Sequence, residues 1–202
     1  MRRILVAPGA IGAVEALFDY GLLSNVLGGV PRLVRFERLV AIEKANGLAP
    51  NASLRLAALA VFVEEDVTRL ADRLRLSNAE QAVLAIGALG VDSALPAEEE
   101  AKVLLYRLGP DAYRSRLLLA WADGGASPED GAWRKALALP ERWQAPVFPI
   151  GGNDVMALGE LKGPDIGELL KRLELDWIAS GFALDRDQLL AEAKAFISKR
   201  TW

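Results

Sequence analysis

The sequence contains no histidine and no cysteine among its 202 residues. Without these residue types the chain cannot form a Ser-His-Asp or Cys-His triad, a zinc finger, a histidine-based metal site or a disulfide. Any acid–base chemistry would depend on Asp, Glu, Lys or Tyr. The chain also lacks an uninterrupted apolar run of the roughly 18 residues that a membrane-spanning helix requires.

Neither charge sign is in large excess: the chain has 24 Lys and Arg and 27 Asp and Glu, which gives a net charge of −3. This mild acidity argues weakly against non-specific nucleic-acid binding, but it allows a basic face on an acidic body. Met1-Arg2-Arg3 and the apolar residues that follow resemble a signal peptide only faintly, because Pro8, Gly9 and Gly12 interrupt the apolar stretch. We therefore expect a cytoplasmic protein.

Apolar residues recur at helical spacing along most of the chain, and alternation with a period of two never extends beyond a few residues. The pattern predicts an all-α fold of eight to eleven short helices in packed hairpins, with at most a short strand near Val147. Gly124-Gly125 and the irregular residues 140–152 predict a helical neck and body region over 1–125 and a C-terminal helical tail over 126–202. The position of that boundary is left open between 124 and 150.

Local signals predict where several helices begin and end. One helix should carry Val14 to Leu23 and stop at Gly28-Gly29, and a second should end at Gly47 in a left-handed cap. Ser77 and Glu80 form the pattern of a capping box. Gly109-Pro110 should end the helix that begins near Pro96, and Ser127 should cap the short helix that carries Trp133.

Two segments near the C-terminus carry a more specific pattern. Residues 148–159 contain a Pro-x-Gly-x-x-Asp-apolar-Met-x-Leu-Gly run, and residues 163–170 contain Gly-Pro-x-apolar-Gly-x-x-Leu. With residues 36–43, 54–59 and 74–80 (LRLSNAE) in the same order, this resembles the C-terminal body of bacterial class II tRNA nucleotidyltransferases (CCA-adding enzymes) and poly(A) polymerases. The resemblance extends over residues 15–195, and its motif positions are Gly151, Asp154, Leu158, Gly159, Gly163, Pro164 and Gly167.

The resemblance implies an RNA-binding region with the fold of the poly(A) polymerase C-terminal region, which positions the RNA 3′ end for a catalytic head. In the family that head precedes this region, and it uses Mg²⁺ and nucleoside triphosphates through a Gly-Gly-x-x-Arg-Asp loop and an Asp-x-Asp pair. No segment of this chain resembles the head. We therefore expect no catalytic residue, metal or cofactor in this chain alone. The expected partners are tRNA or another RNA and, if the chain is a fragment, the head of the same protein.

Two segments imitate catalytic motifs of the family. Asp185-Arg186-Asp187 spells Asp-x-Asp, but it precedes an amphipathic run and not a strand, so helix capping is the better interpretation. Glu65 to Arg69 spells Glu-Asp-x-x-Arg, but it runs straight into the later body segment at 74–80, so we interpret it as solvated charges at a helix start.

Basic residues form three clusters: Arg32, Arg35 and Arg38; Arg114 and Arg116; and Lys162, Lys171 and Arg172. For each cluster, two interpretations stay open: an ordinary solvated surface, or contact with RNA phosphates. Arg32, Arg35 and Arg38 are predicted to share one helix face. An all-helical scaffold for protein interaction, without RNA function, is the alternative; an exposed apolar patch would favour it, and a basic stripe would favour RNA binding. The candidate RNA-contacting residues are Lys162, Lys171, Arg172, Arg32, Arg35, Arg38, Arg114 and Arg116.

Overall fold

The computed structural model describes residues 1–89, 93–159 and 163–200. These ranges contain thirteen helices and no strand, which confirms the all-α class. The helices are α1 (Arg2–Leu5), α2 (Ala10–Asp19), α3 (Leu22–Leu27), α4 (Leu33–Ala45), α5 (Ala52–Ala60), α6 (Glu64–Leu74), α7 (Asn78–Ala88), α8 (Glu98–Gly124), α9 (Gly131–Leu137), α10 (Leu139–Arg142), α11 (Gly152–Met156), α12 (Gly163–Ala179) and α13 (Arg186–Arg200).

The number of helices exceeds the predicted eight to eleven because several elements are very short. Helices α1, α10 and α11 have only four or five residues each, too few for a hydrophobic period to be visible in the sequence. The helix predicted from Val14 to Gly28 is two helices, because Gly21 lies in the left-handed region and separates α2 from α3. Val147 lies in an irregular segment and is highly exposed.

The cap predictions were largely right. Ser77 accepts the backbone N–H of Glu80, and the Glu80 carboxylate accepts the backbone N–H of Ser77 at 2.8 Å, which confirms the capping box. Gly47 has the predicted left-handed backbone. The prediction for Ser127 was wrong: Asp130 caps α9 by accepting the N–H groups of Ala132 and Trp133.

Helix α8 contains the break predicted at Gly109-Pro110. Gly109 has φ 75° and ψ 169°, which is outside the helical region, and Pro110 follows it directly. The chain is helical on both sides, so α8 consists of two helical segments joined by a kink. Proline at the start of the second segment is favourable, because the first turn of a helix leaves its N–H groups unpaired in any case.

The chain forms two compact units, residues 1–143 and 144–202. The division falls after α10 and not at residue 125, inside the window of 124 to 150 that the sequence left open. Helices α9 and α10 belong to the first unit because both pack against α8.

In the first unit, α5 lies at the centre of the core. Every residue from Leu54 to Ala60 is buried, and α5 packs against α1, α4, α7 and α8. Its small residues let neighbouring helices come close: a Cβ at Gly87 of α7 would lie only 3.4 Å from the Cβ of Ala57. Trp121 and Trp133 are buried in this core and stack with ring centroids 5.6 Å apart.

The second unit is built on α11, α12 and α13. Leu169, Leu173 and Trp177 form the buried stripe of α12, at the four-residue spacing that aligns side chains on one helix face. The Trp177 ring packs 5.3 Å from Phe148 and 5.0 Å from Phe182, measured between centroids. Trp177 is therefore a core residue of the second unit, whereas Trp202 lies outside the described part of the chain. No described helix is long and apolar enough to span a membrane.

Candidate functional site

Arg32, Arg35 and Arg38 meet the C-terminal end of α8. The two carboxylate oxygens of Asp123 each pair with one guanidinium, Oδ1 with Arg32 at 2.5 Å and Oδ2 with Arg35 at 2.8 Å. Arg38 donates to the carbonyl oxygens of Ala122 and Asp123, at 3.4 Å each. The three cations therefore stabilise the negative end of the α8 dipole.

Arg35 does not lie on the surface predicted from its spacing. It is 3% exposed, and its guanidinium also donates to the carbonyl of Val61 at 3.3 Å. Burial lowers the pKa of Arg35 to about 10, with Asp123 opposing the shift and Arg32 adding to it. The three arginines share a helix face, but the interpretation as a solvated surface is wrong for Arg35, because α4 turns this residue towards the end of α8.

A cleft lies beside this cluster, and we call it the arginine cleft. One part, of about 320 Å³, is lined by Arg32, Arg35, Phe62, Gly87, Ser93 and Asp123. The adjoining part, of about 480 Å³, is lined by Arg38 and the start of α4. The cleft could not be predicted from the sequence, because it is formed by residues from four distant segments.

A close approach at Gly124 helps to form the cleft. A Cβ on Gly124 would lie 2.4 Å from the carbonyl oxygen of Ser93, a distance that backbone atoms cannot accept. Glycine at this position therefore lets the segment at Ser93 pack against the end of α8.

The second basic cluster is engaged with acids of the first unit. Arg114 lies 3.5 Å from Glu141 and 3.9 Å from Asp111. Arg116 is partly buried and lines a cavity of about 490 Å³ together with Glu99, Glu100 and several apolar side chains. Each of these arginines has acidic neighbours, which reduces the net positive potential available to a phosphate.

The third cluster lies on α12, apart from Lys162, which is outside the described residues. Lys171 is exposed, and Arg172 stacks on the Phe196 ring with its guanidinium carbon 4.9 Å from the centroid. Arg172 also shares a concave surface with Asp176 and Glu192. The two cations are therefore accessible, on a face that also carries carboxylates.

The family-like motif serves the packing of the second unit. The Asp154 carboxylate accepts the N–H of Gly151 at 2.8 Å and pairs with Arg186 at 2.7 Å, so it caps α11 and joins it to α13. These contacts hold the pKa of Asp154 below its usual range. At Gly159 a Cβ would lie 3.5 Å from the side chain of Ile197. Leu158 is partly buried, whereas Gly163, Pro164 and Gly167 are exposed on the first turns of α12.

The two segments that imitate catalytic motifs are helix starts. Asp185 accepts the N–H of Gln188, and the Gln188 side chain accepts the N–H of Asp185, both at 2.9 Å, which confirms the cap. Asp66 also lies at a helix start, but it is 6% exposed, so the expectation of solvated charge was wrong for it. Within the described ranges, no three acidic side chains are grouped closely enough to hold a metal ion.

Sequence reasoning missed a group of exposed apolar side chains between residues 18 and 63. Leu22 and Val26 are exposed on α3, and Val30 is 75% exposed. Two contacts link some of the segments that carry them: Arg73 of α6 donates to the carbonyl of Val26, and Arg32 lies over the Phe62 ring. We call this the N-terminal apolar surface; its exposed members are Phe18, Tyr20, Leu22, Val26, Val30, Val34, Phe62 and Val63.

Comparison with known proteins relates the chain to one named enzyme, and no family model matches it. It is 26% identical over 205 residues to CCA tRNA nucleotidyltransferase 1, mitochondrial, of Mus musculus, and 25% identical over 205 residues to that of Homo sapiens. It is 26% identical over 199 residues to that of Danio rerio. The alignments cover 95–96% of this chain but 44% of each relative, so the chain spans less than half of their length.

Proposed function

We propose that this chain is the RNA-binding C-terminal region of a tRNA nucleotidyltransferase or poly(A) polymerase of the bacterial class II type. The observation that carries the proposal is similarity to CCA tRNA nucleotidyltransferase 1 along 96% of the chain. The all-helical fold agrees with it. The chain would hold the RNA by its backbone, so that the 3′ end reaches a catalytic head supplied by another stretch of polypeptide.

The cations best placed for RNA are those of α12. Lys171 and Arg172 are exposed and adjoin the motif, and Lys162 precedes them in the sequence. Arg114 is a weaker candidate, because Glu141 and Asp111 already engage it.

Binding of an unmodified tRNA transcript, followed by fluorescence anisotropy between about 50 and 200 mM salt, tests this proposal. The affinity should fall as salt rises, and it should exceed that for an RNA hairpin of equal length. The double substitution Lys171→Gln and Arg172→Gln should reduce the slope of log affinity against log salt by about one for each phosphate contact removed.

Arg107→Gln is the matched control, since Arg107 is an exposed arginine outside the candidate clusters. If tRNA does not bind at the lowest salt, the chain has no RNA surface of its own. If Arg107→Gln weakens binding as much as a substitution on α12, the assignment of the contact to α12 is incorrect.

We further propose that a nucleotidyltransferase head covers the N-terminal apolar surface. Exposed apolar patches of this kind mark protein contacts. The alignment covers only 44% of the mouse relative, so more than half of that protein lies outside the aligned part. On this proposal the head supplies the Mg²⁺ and nucleoside triphosphate sites. The chain alone should then add no labelled CMP or AMP to a tRNA that lacks its 3′ end.

The same apolar surface favours the alternative, a helical protein-interaction domain without RNA function. The substitutions Leu22→Asp and Val30→Asp, examined by light scattering after size exclusion, separate the two. Loss of a self-associated form with unchanged tRNA affinity would show that a second copy covers the surface. A monomer that does not bind tRNA would favour the interaction domain.

A cytoplasmic location remains a prediction from the sequence; the three relatives are named as mitochondrial proteins. Immunofluorescence or fractionation of the native protein would decide it.

A further inference from the structure

Among the described residues that line the arginine cleft, the positive charges outnumber the negative ones. Arg32, Arg35 and Arg38 line it, and Asp123 is the single acid among the described residues around both of its parts. The carbonyl end of α8 contributes roughly half a negative charge more. Among the described residues, three cations therefore face about one and a half negative charges in a cleft that is open to ligands.

The buried guanidinium is incompletely paired. Arg35 is 3% exposed, and within the part of the chain that the structure describes its Nε–H has no hydrogen-bond partner. A buried donor without a partner is costly, and a bound ion is one of the arrangements that would satisfy it. The fork of N–H groups on a guanidinium matches the oxygens of a phosphate.

The cleft is organised before a ligand arrives. Asp123 holds Arg32 and Arg35 through separate oxygens, and the Phe62 ring lies 4.9 Å from the guanidinium carbon of Arg32. Arg38 is held more weakly, by two hydrogen bonds of 3.4 Å to carbonyl oxygens, so its guanidinium can turn to an incoming anion at little cost. Little side-chain entropy is lost on binding when donors are already positioned.

We propose that the arginine cleft binds a phosphate group between Arg32, Arg35 and Arg38. The group is either a free phosphate or pyrophosphate or one phosphate of an RNA backbone. The proposal rests on the cleft alone and does not depend on tRNA being the partner of α12.

The test follows the Nε–H signal of Arg35 in ¹H–¹⁵N spectra of the full chain, with Arg35→Lys to assign the signal. Sodium phosphate and pyrophosphate are titrated at constant ionic strength, with chloride as the reference anion. The signal should shift saturably with phosphate, with a Kd below about 10 mM, and should not shift with chloride. Arg32→Gln should weaken binding at least about fivefold, whereas Arg107→Gln should leave it unchanged.

A second titration distinguishes the two sources of phosphate. If the cleft binds an RNA phosphate, tRNA shifts the Arg35 signal and pyrophosphate displaces the tRNA. If the cleft binds a free phosphate, tRNA leaves the Arg35 signal unchanged. A linear response common to phosphate and chloride overturns the proposal, and so does full affinity in Arg32→Gln. Should Arg35→Lys fail to fold, melting temperatures test the proposal instead. Phosphate should raise the melting temperature of the native chain more than that of Arg32→Gln, and equal changes in the two proteins overturn the proposal.

Discussion

Buried charge is a recurring device in the first unit, and each charged residue is joined to backbone groups as well as to an opposite charge. Arg55 is 4% exposed and donates from Nε to Glu43 and from a terminal nitrogen to the carbonyl of Leu5, both at 2.6 Å. One side chain thereby links α4, α5 and the end of α1. Burial raises the pKa of Glu43, while the hydrogen bond and charge of Arg55 act in the opposite direction.

Arg55→Met should lower the free energy of unfolding by about 3–5 kcal/mol, because it leaves the carboxylate of Glu43 buried and unpaired. The double substitution Arg55→Met and Glu43→Gln should lower the free energy of unfolding by clearly less, because it leaves no uncompensated charge in the core. Urea unfolding of the three proteins at pH 7 measures this. Equal losses in the single and double variants would mean that the contact with Leu5, and not the ion pair, dominates.

Asp66 gives the first unit a dependence on pH. Its carboxylate accepts the N–H groups of Phe62 and Val63 at 2.6 and 3.1 Å and pairs with Arg69. Burial alone would raise the pKa of Asp66, but these hydrogen bonds and Arg69 outweigh it, so the pKa lies below the ordinary 3.8. The stabilisation is therefore complete above the ordinary value and is lost as the pH falls through the lowered pKa.

Asp66→Asn should lower the free energy of unfolding by about 1–3 kcal/mol at neutral pH. The difference from the parent protein should shrink progressively below a pH of about 3.8. Urea midpoints measured between pH 7 and pH 2.5 check this. Asp72→Asn, on the exposed side of the same helix, is the control and should follow the parent protein. A deficit for Asp66→Asn that stays constant over this range would contradict the role assigned to the carboxylate.

At the scale of elements, the kink in α8 sets the direction of its two halves. The backbone of Gly109 lies at φ 75° and ψ 169°, a region that is essentially restricted to glycine. A side chain there would force one half of α8 to turn relative to the other. The first half carries Ala101 and Leu105 into the core and the second half carries Tyr113 and Trp121, so the whole first unit depends on this one conformation.

Gly109→Ala should therefore lower the free energy of unfolding by about 1–3 kcal/mol, although the structure has open space around this Cα. Gly12→Ala is a matched control inside α2, where the space is also open and the helical backbone suits alanine. It should be neutral or stabilise the protein by up to about 1 kcal/mol. Thermal unfolding followed by circular dichroism would compare them, and equal effects would exclude strain at Gly109 as the cause.

At the scale of the molecule, the two units differ in what they can bury. Residues 1–143 contain a continuous core that includes Trp121 and the whole of α5, whereas residues 144–202 bury mainly the stripe of α12 and parts of α11 and α13. A domain of roughly 60 residues buries only about 60% of its unfolded surface and is only marginally stable.

Residues 1–143 expressed alone should unfold cooperatively at nearly the midpoint of the corresponding transition in the full chain, while residues 144–202 alone should melt broadly and at lower temperature. Calorimetry of the three polypeptides would test this. A first unit that is unfolded by itself would show that the two units stabilise each other.

The sequence by itself determined the helical class, most caps and the kink at Gly109-Pro110, because these depend on contacts within a few residues. It also marked Asp185 as a cap, since the apolar run behind it is local. Tertiary structure decided which charges are buried: Arg35 and Arg38 differ by three positions in the sequence, but only Arg35 is turned into the core. The arginine cleft and the N-terminal apolar surface followed from packing alone, because their residues come from segments that meet only when helices distant in the chain pack together.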